Sequence, residues 1–222
     1  MSADSVRYAP DLTDDLTSHA RVAGLVGANK LVLDVGCGGG FLAARLTSRG
    51  CQVTGLDNDE VLLQRARNVC SEVIHHDLEA VDTLDVGKRF DVVVMADVLE
   101  HLRAPEKLLA KSASWLRPHG FAVISVPNVA HVSVRLKLLL GHFDYQSTGI
   151  LDQTHMRFFT RQTFVSLLTE AGFEISDFIP VGRFPLLARF EKSLLLRRLE
   201  TAAAAGWPNG FGFQFVVRAK PC

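Results

Sequence analysis

The sequence predicts an α/β fold, a mostly parallel sheet with helices packed on both faces. Three observations lead there. Apolar runs alternate with helix-forming segments from Lys30 to Val126. Runs such as Leu31-Val32-Leu33 are continuously apolar, as in strands buried on both faces of a parallel sheet. A glycine cluster, Gly36 to Gly40, lies between the first of these runs and the helix after it. Strict strand–helix alternation leaves parallel crossover units as the simplest arrangement.

The elements follow in order. Met1 to Pro10 reads as a loose arm, and Asp11 to Gly27 as a helix with Leu12, Leu16 and Ala20 along one face. Lys30 to Val35 is the first strand and Phe41 to Arg49 the helix after the glycine loop. Gln52 to Leu56, Glu72 to His75, Phe90 to Met95 and Phe121 to Val126 are further strands. Glu60 to Cys70 and Ala104 to Trp115 are the helices among them, the latter with Pro105 in its first turn. Asp82 to Lys88 is an acidic turn region. Beyond Pro127 the pattern loosens. Val132 to Leu140, Arg161 to Ala171 and Pro185 to Ala205 are helical candidates, and Phe173 to Ile179 and Gly212 to Arg218 are two late strands. No repeat or linker divides the chain. It reads as one domain, 1–222, with 128–160 as an insertion.

Composition narrows the function classes. With 222 residues and 48% of them hydrophobic, the chain can bury a sizeable core. Lys plus Arg equals Asp plus Glu at 24 each, so the broad basic face that captures nucleic acid is not expected. Cys37, Cys51, Cys70 and Cys222 have no CxxC or paired metal spacing and read as free thiols of a reducing compartment. The start of the chain has no signal-peptide pattern, and no apolar stretch is long enough for a transmembrane segment. A cytoplasmic protein, monomer or homodimer, is the expectation.

The segment Leu33-Asp34-Val35-Gly36-Cys37-Gly38-Gly39-Gly40 has the glycines that let backbone turn sharply and a ligand approach closely. A dinucleotide fingerprint would place its third glycine at position 41, which is Phe41. A nicotinamide oxidoreductase therefore loses support, and the missing Lys-Ser/Thr pair disfavours nucleoside triphosphates. Asp57 ends the second strand, where a carboxylate can accept from both ribose hydroxyls. Asp77 follows the third strand, within reach of an adenine amino group. Asp34 can hold a cationic amino acid end. Together they describe an adenosine carrying a positive tail. Taken singly, each aspartate has a plainer reading as a helix cap.

These residues resemble class I S-adenosylmethionine-dependent methyltransferases. The resemblance is carried by Val32 to Gly40, Asp57, His76-Asp77-Leu78, Phe90 to Leu102 and Leu116-Arg117-Pro118-His119-Gly120. It is strong over residues 30–126 and weaker beyond. It implies a Rossmann-like seven-stranded sheet with the last strand antiparallel, the two late strands completing it. The cofactor it implies is S-adenosyl-L-methionine, leaving as S-adenosyl-L-homocysteine. Asp34, Gly36 and Gly38 would meet the methionine part and Asp57 the ribose; Cys37 and Asn58 count with the cofactor-binding residues, although Asn58 departs from the pattern of stricter subgroups. Asp77 and Leu78 would meet the adenine, and Ala96, Val98 and His101 would line the sulfonium side. The stretches Gly141 to Tyr145 and Thr154 to Thr160 are similar to a narrower group of small-molecule and saccharide O-methyltransferases of natural-product or glycan pathways.

The acceptor chemistry follows. An aliphatic or sugar hydroxyl is a poor nucleophile and gains from a general base, a role histidine suits near neutral pH. His155, in the insertion, is the first candidate, with Asp152 to orient it. His101 is the second, and a cofactor-wall role is its alternative. His131 and His142 are weaker candidates, and His75 and His76 belong to the adenine side. Arg157 could bind an anionic acceptor or pair with Asp152 or Asp144. No His, Cys and Asp set has clear metal-ligand spacing, so no metal ligands are assigned and a catalytic Mg²⁺ is left open without support from the spacing. Val132 to Leu140 reads as a lid over the acceptor or a packing helix. A methyltransferase acting on nitrogen or carbon, or a cofactor-binding partner that regulates an acyltransferase, are the alternatives.

Overall fold

The computed structural model of the chain describes residues 17–183 and 193–222. The expected N-terminal arm, the start of the first expected helix and the first part of the expected Pro185 to Ala205 helix lie outside the described residues. Seven strands form one sheet: β1 Leu31–Val35, β2 Gln52–Asp57, β3 Glu72–His75, β4 Phe90–Ala96, β5 Leu116–Pro127, β6 Phe173–Gly182 and β7 Gly212–Pro221. Their order is β3-β2-β1-β4-β5-β7-β6. The first five pair in parallel, and β7 runs antiparallel to both β5 and β6. The helices are α1 Ser18–Val26, α2 Phe41–Thr47, α3 Glu60–Ala66, α4 Pro105–Ser114, α5 Val132–Leu139, α6 Arg161–Glu170, α7 Leu194–Gly206 and α8 Pro208–Phe211. This is the Rossmann-like architecture with an antiparallel last strand.

The continuous apolar runs are explained by a core on each face of the sheet. Leu33, Val35, Val93 and Met95 enter one cluster with Leu108, Phe164 and Phe215. Val32, Val92 and Val94 enter the other with Val22, Leu42 and Leu63. Neighbouring strand residues point to opposite faces, so a strand covered on both sides is apolar along most of its length, and the buried polar positions Asp34, Thr54 and Ser125 are exceptions.

Local chemistry sets the helix starts. Asp59 accepts from the Val61 and Leu62 N–H groups and opens α3. Thr160 and Thr163 form a reciprocal capping box at α6. Some elements depart from the expectation. β5 begins at Leu116, because Leu116 pairs with Phe90 across a register shift, so the turn-like Pro118-His119-Gly120 is carried within a strand. Two short 3₁₀ turns, Leu78–Thr83 and Leu99–His101, were not expected, nor was α8.

At the other end of the sheet from the glycine loop, Asp91 of β4 accepts from the Leu31 N–H at 2.8 Å and the Arg117 guanidinium at 3.0 Å. Those contacts, the backbone one first, hold its carboxyl below the usual range. A depressed carboxylate adds stability above its unfolded-state pKa and loses it as pH falls through the folded value. Asp91→Asn is expected to cost about 1–2 kcal/mol at pH 7. The difference should shrink toward pH 3 in denaturant titrations of the two proteins. An undiminished difference at pH 3 would assign the loss to shape rather than charge.

Candidate active site

The carboxyl ends of β1, β2 and β4 meet at one edge of the sheet, where parallel α/β folds bind ligands. β1 ends in the glycine loop. Gly36 and Cys37 donate to the Leu56 carbonyl at 2.7 and 3.0 Å, tying the loop to β2. Asp57 completes the tie: its Oδ2 accepts from the Gly38 N–H at 2.8 Å and its Oδ1 from the Asp59 N–H at 3.0 Å. Gly36 and Gly38 both have positive φ, +70° and +51°. A Cβ at Gly36 would stand 2.7 Å from Val98 Cγ2, whereas one at Gly38 would meet nothing within 4 Å. The loop is thus packed from below at Gly36 and open above Gly38.

Asp34 lies beneath this loop, 2% exposed, and its Oδ2 has no hydrogen-bond partner. Burial first, and then the charge of Asp57, push its carboxyl up to about 7. A buried carboxyl with an orphaned oxygen is a site made for a cation or a donor.

Beyond β4 the chain turns sharply. Asp97 has φ +56° and is held by Ser125 Oγ (2.7 Å) and Gln214 Nε2 (2.9 Å), both donating to its carboxylate. The 3₁₀ turn that follows presents Glu100 and His101. Glu100 is 1% exposed, with Oε2 unpartnered. Burial, and then the charges of Asp97 and Asp152, raise its carboxyl well above the usual range. The Glu100 carbonyl accepts from the Met156 and Arg157 N–H groups at 2.8 and 3.0 Å. Those bonds pin the insertion over the end of β4, and Val134, Ile150 and Leu151 give the insertion a small core of its own.

Pinning brings His155 against His101, ring centroids 4.8 Å apart at 74°. The hydrogen bonds decide where their protons sit. Thr154 Oγ1 donates to Asp152 Oδ1 at 2.7 Å, so toward His101 Nδ1, 3.2 Å away, it accepts. The Thr154 carbonyl is also 3.3 Å from that nitrogen. His155 Nδ1 lies 3.1 Å from the Ile150 carbonyl, which can only accept. In its neutral form each ring therefore carries the proton on Nδ1 and a lone pair on Nε2. Burial first, and then His101, lower the pKa of His155 and keep it neutral.

A family model described as a methyltransferase domain matches residues 10–177, well over half of the chain. The chain belongs to this family: it is an S-adenosylmethionine-dependent methyltransferase. Among curated relatives, the ubiquinone biosynthesis O-methyltransferase of Hydrogenovibrio crunogenus is 28% identical over 167 residues, covering 73% of this chain and 69% of the relative. That of Burkholderia pseudomallei is 27% identical over 183 residues, covering 80% and 77%. Among solved structures, a methyltransferase of Archaeoglobus fulgidus superposes with TM-score 0.64 at 20% identity, covering 91% of this chain and 92% of the other. The magnesium protoporphyrin IX methyltransferase of Synechocystis, solved with bound S-adenosylhomocysteine, gives 0.62 at 19%, covering 91% and 81%. These structures share the fold.

S-Adenosylmethionine is the cofactor of the methyltransferase, and the residues present fit it. The orphaned Asp34 oxygen suits an ammonium, and the space over Gly38 admits a ligand that a side chain would obstruct.

Several residues sit differently from the sequence expectation. The Cys37 side chain faces the core beside Gly55 and Cys70. Burial, with the charges of Asp34 and Asp57, pushes its thiol far up, and its Sγ donates to the Gly38 carbonyl at 3.6 Å. Val98 buttresses Gly36 from below. Asp77 caps the 3₁₀ turn Leu78–Thr83 through the Glu79 N–H, the plainer reading of a strand-end aspartate. The Asn58 carbonyl faces His75 Nε2 at 2.9 Å, and His76 Nε2 lies 3.0 Å from the Ala80 carbonyl. Asp152 hydrogen-bonds Thr154, and through it reaches His101, while it acts on His155 through its charge. The Arg157 guanidinium donates to the Arg103 carbonyl, where sequence pointed to an anion, Asp152 or Asp144. His131 is fully buried as the cap of α5, and His142 lies 4.0 Å from Asp144 in the open. Spacing suggested no metal set. The fold nonetheless gathers one ligand-capable atom each from Glu100, His101 and His155 within 4.8 Å of one another.

Glu100, Thr154 and Asp97 were not singled out from sequence. For Glu100 a signal existed: an acid inside the apolar Val98-Leu99-Glu100-His101-Leu102 turn. Thr154 had none, because its partners come from elsewhere in the chain. Among the described residues no helix is long and apolar enough to cross a membrane.

Proposed function

We propose that this methyltransferase transfers a methyl group to an oxygen of a small hydroxylated molecule. The observation behind this is the Glu100–His101–His155 cluster at the carboxyl end of β4, three residues beyond the Asp97 turn and capped by the pinned insertion. The cofactor supplies a methyl already activated on a sulfonium. The protein's tasks are to align the acceptor, exclude water and manage the acceptor's proton. Asp34, Gly36 and Gly38 hold the methionine part, Asp57 the ribose with Asn58 next to it, and Asp77 and Leu78 the adenine. Ala96, Val98 and His101 flank the sulfonium. Segment 128–160 walls the acceptor side, with His101 and His155 facing the hydroxyl through Nε2.

The two curated relatives, named for O-methylation in ubiquinone biosynthesis, support oxygen over nitrogen or carbon. They support a small-molecule hydroxyl and lend nothing to the saccharide suggested by the insertion motif.

The test uses the purified chain, isotopically labelled cofactor, and a panel holding a catechol, a saccharide and an amine. Turnover on the catechol is expected, and turnover on the amine alone would overturn the proposal. His101→Ala should lower kcat by roughly 10²- to 10⁴-fold, with S-adenosylhomocysteine affinity changed only a few-fold.

A further inference from the structure

We propose that Glu100, His101 and His155 form a binding site for a divalent transition-metal ion that holds the acceptor oxygen. The proposal builds on the acceptor location given above and specifies how that place handles a hydroxyl.

The site combines a carboxylate with two imidazoles, all within 4.8 Å. Zinc bonds of about 2.0–2.2 Å set neighbouring ligands about 3.4 Å apart. Closure therefore asks for a movement of about 1 Å, which side-chain rotation of two half-buried histidines supplies. Two features show preparation rather than chance. First, Glu100 is 1% exposed and its Oε2 has no partner. A carboxylate seldom stays buried unless something meets it. Second, the outer contacts that metal-bound histidines have are already made. A ligating histidine donates its other N–H to a carbonyl or carboxylate, which fixes the tautomer and the ring. Here His155 Nδ1 faces the Ile150 carbonyl at 3.1 Å. His101 Nδ1 faces the Thr154 carbonyl and hydroxyl, the hydroxyl held by Asp152. Each ring thus keeps its Nε2 lone pair for a ligand.

The donor set selects the ion. Two imidazoles and one carboxylate suit zinc, iron or cobalt, whereas magnesium prefers oxygen ligands and its own water. Three protein ligands leave coordination positions for an acceptor oxygen, whose pKa a bound cation lowers. The cluster is also non-local. Glu100 and His101 belong to the turn after β4, His155 to the insertion, and the Glu100 carbonyl's bonds to Met156 and Arg157 hold the two parts together.

The test uses the full chain in a Cys222→Ser background, because Cys222 is an exposed free thiol able to take up soft metals. Cobalt(II) is the probe, followed by its visible absorption, with zinc calorimetry alongside. One equivalent should bind, with absorption of a low-coordinate nitrogen/oxygen site. His155→Ala and His101→Asn should each weaken binding at least tenfold, and Thr154→Val about tenfold through the outer contact. Circular dichroism of each variant shows that the fold is kept, and two separate histidine variants guard against one misfolding. No stoichiometric binding, or binding unchanged in both histidine variants as at exposed His142 and Asp144, would overturn the site. S-Adenosylhomocysteine calorimetry on the same samples separates the two readings. Cobalt binding without homocysteine-cofactor binding would sink the cofactor assignment, and the reverse would sink only the metal.

Discussion

Asp34→Asn is expected to gain stability relative to the wild type as pH rises, and to lose cofactor affinity. Burial, and then Asp57, push the Asp34 carboxyl from 3.8 to about 7. With a raised folded pKa, the native state holds its proton between those values while the unfolded chain releases it. Wild-type stability therefore falls relative to the asparagine variant across about pH 4 to 7, and the difference is flat above. A shift of this size corresponds to a change of about 4 kcal/mol. Denaturant titrations at pH 5 and pH 8 read the difference directly. Equal differences at the two pH values would mean that Asp34 ionises normally. In calorimetry, wild-type affinity for S-adenosylhomocysteine should climb toward pH 7 and then level. The variant should bind roughly tenfold to a hundredfold more weakly, the loss of a charge-assisted contact, and show no such climb. On this reading the carboxyl that costs the ligand-free fold stability is the one proposed to receive the cofactor's ammonium.

The second large effect separates two glycines with the same backbone handedness. Gly36→Ala combines a left-handed alanine, about 1–2 kcal/mol, with a Cβ placed 2.7 Å from Val98 Cγ2. Overpacking of that kind costs about 1–3 kcal/mol, so a loss of about 2–5 kcal/mol is expected in thermal or denaturant unfolding. Val98→Ala should recover part of it in the double variant, because it removes the atom in the way. Gly38→Ala bears only the backbone strain, since its Cβ meets nothing within 4 Å. It should fold with about 1–2 kcal/mol lost yet bind S-adenosylhomocysteine at least tenfold more weakly. Unimpaired binding by Gly38→Ala would move the cofactor off the glycine loop.

How much of this was legible depends on the distance over which each feature is encoded. β1 and β4 were readable because burial on both faces makes them apolar at nearly every position, as Val32 and Leu33 on opposite sides of the sheet illustrate, with Asp34 and Asp91 as their polar exceptions. Asp57 was readable as a strand-end acid over the glycine loop. Its grip on the Gly38 N–H was not, because loop and strand meet only after folding. Asp77 met the same sequence criterion as Asp57, yet its carboxylate caps the next turn. A strand-end aspartate can serve a ligand or the first free N–H groups of a helix, and composition alone does not choose.

By itself, the sequence determined the alternation of strands and helices, the sheet it builds, and the adenosine-shaped pattern of glycines and acids. These rest on short-range periodicity and on single strand–loop–helix units, each complete within about 30 residues of chain. Only the tertiary structure decided that β7 lies between β5 and β6, that Cys37 turns into the core, and that Glu100, His101 and His155 converge. Those outcomes depend on two backbone bonds from the insertion to the Glu100 carbonyl and on packing between segments far apart in the chain. Contacts of that range leave no periodic trace, because the partners are brought together by the sheet rather than by their spacing.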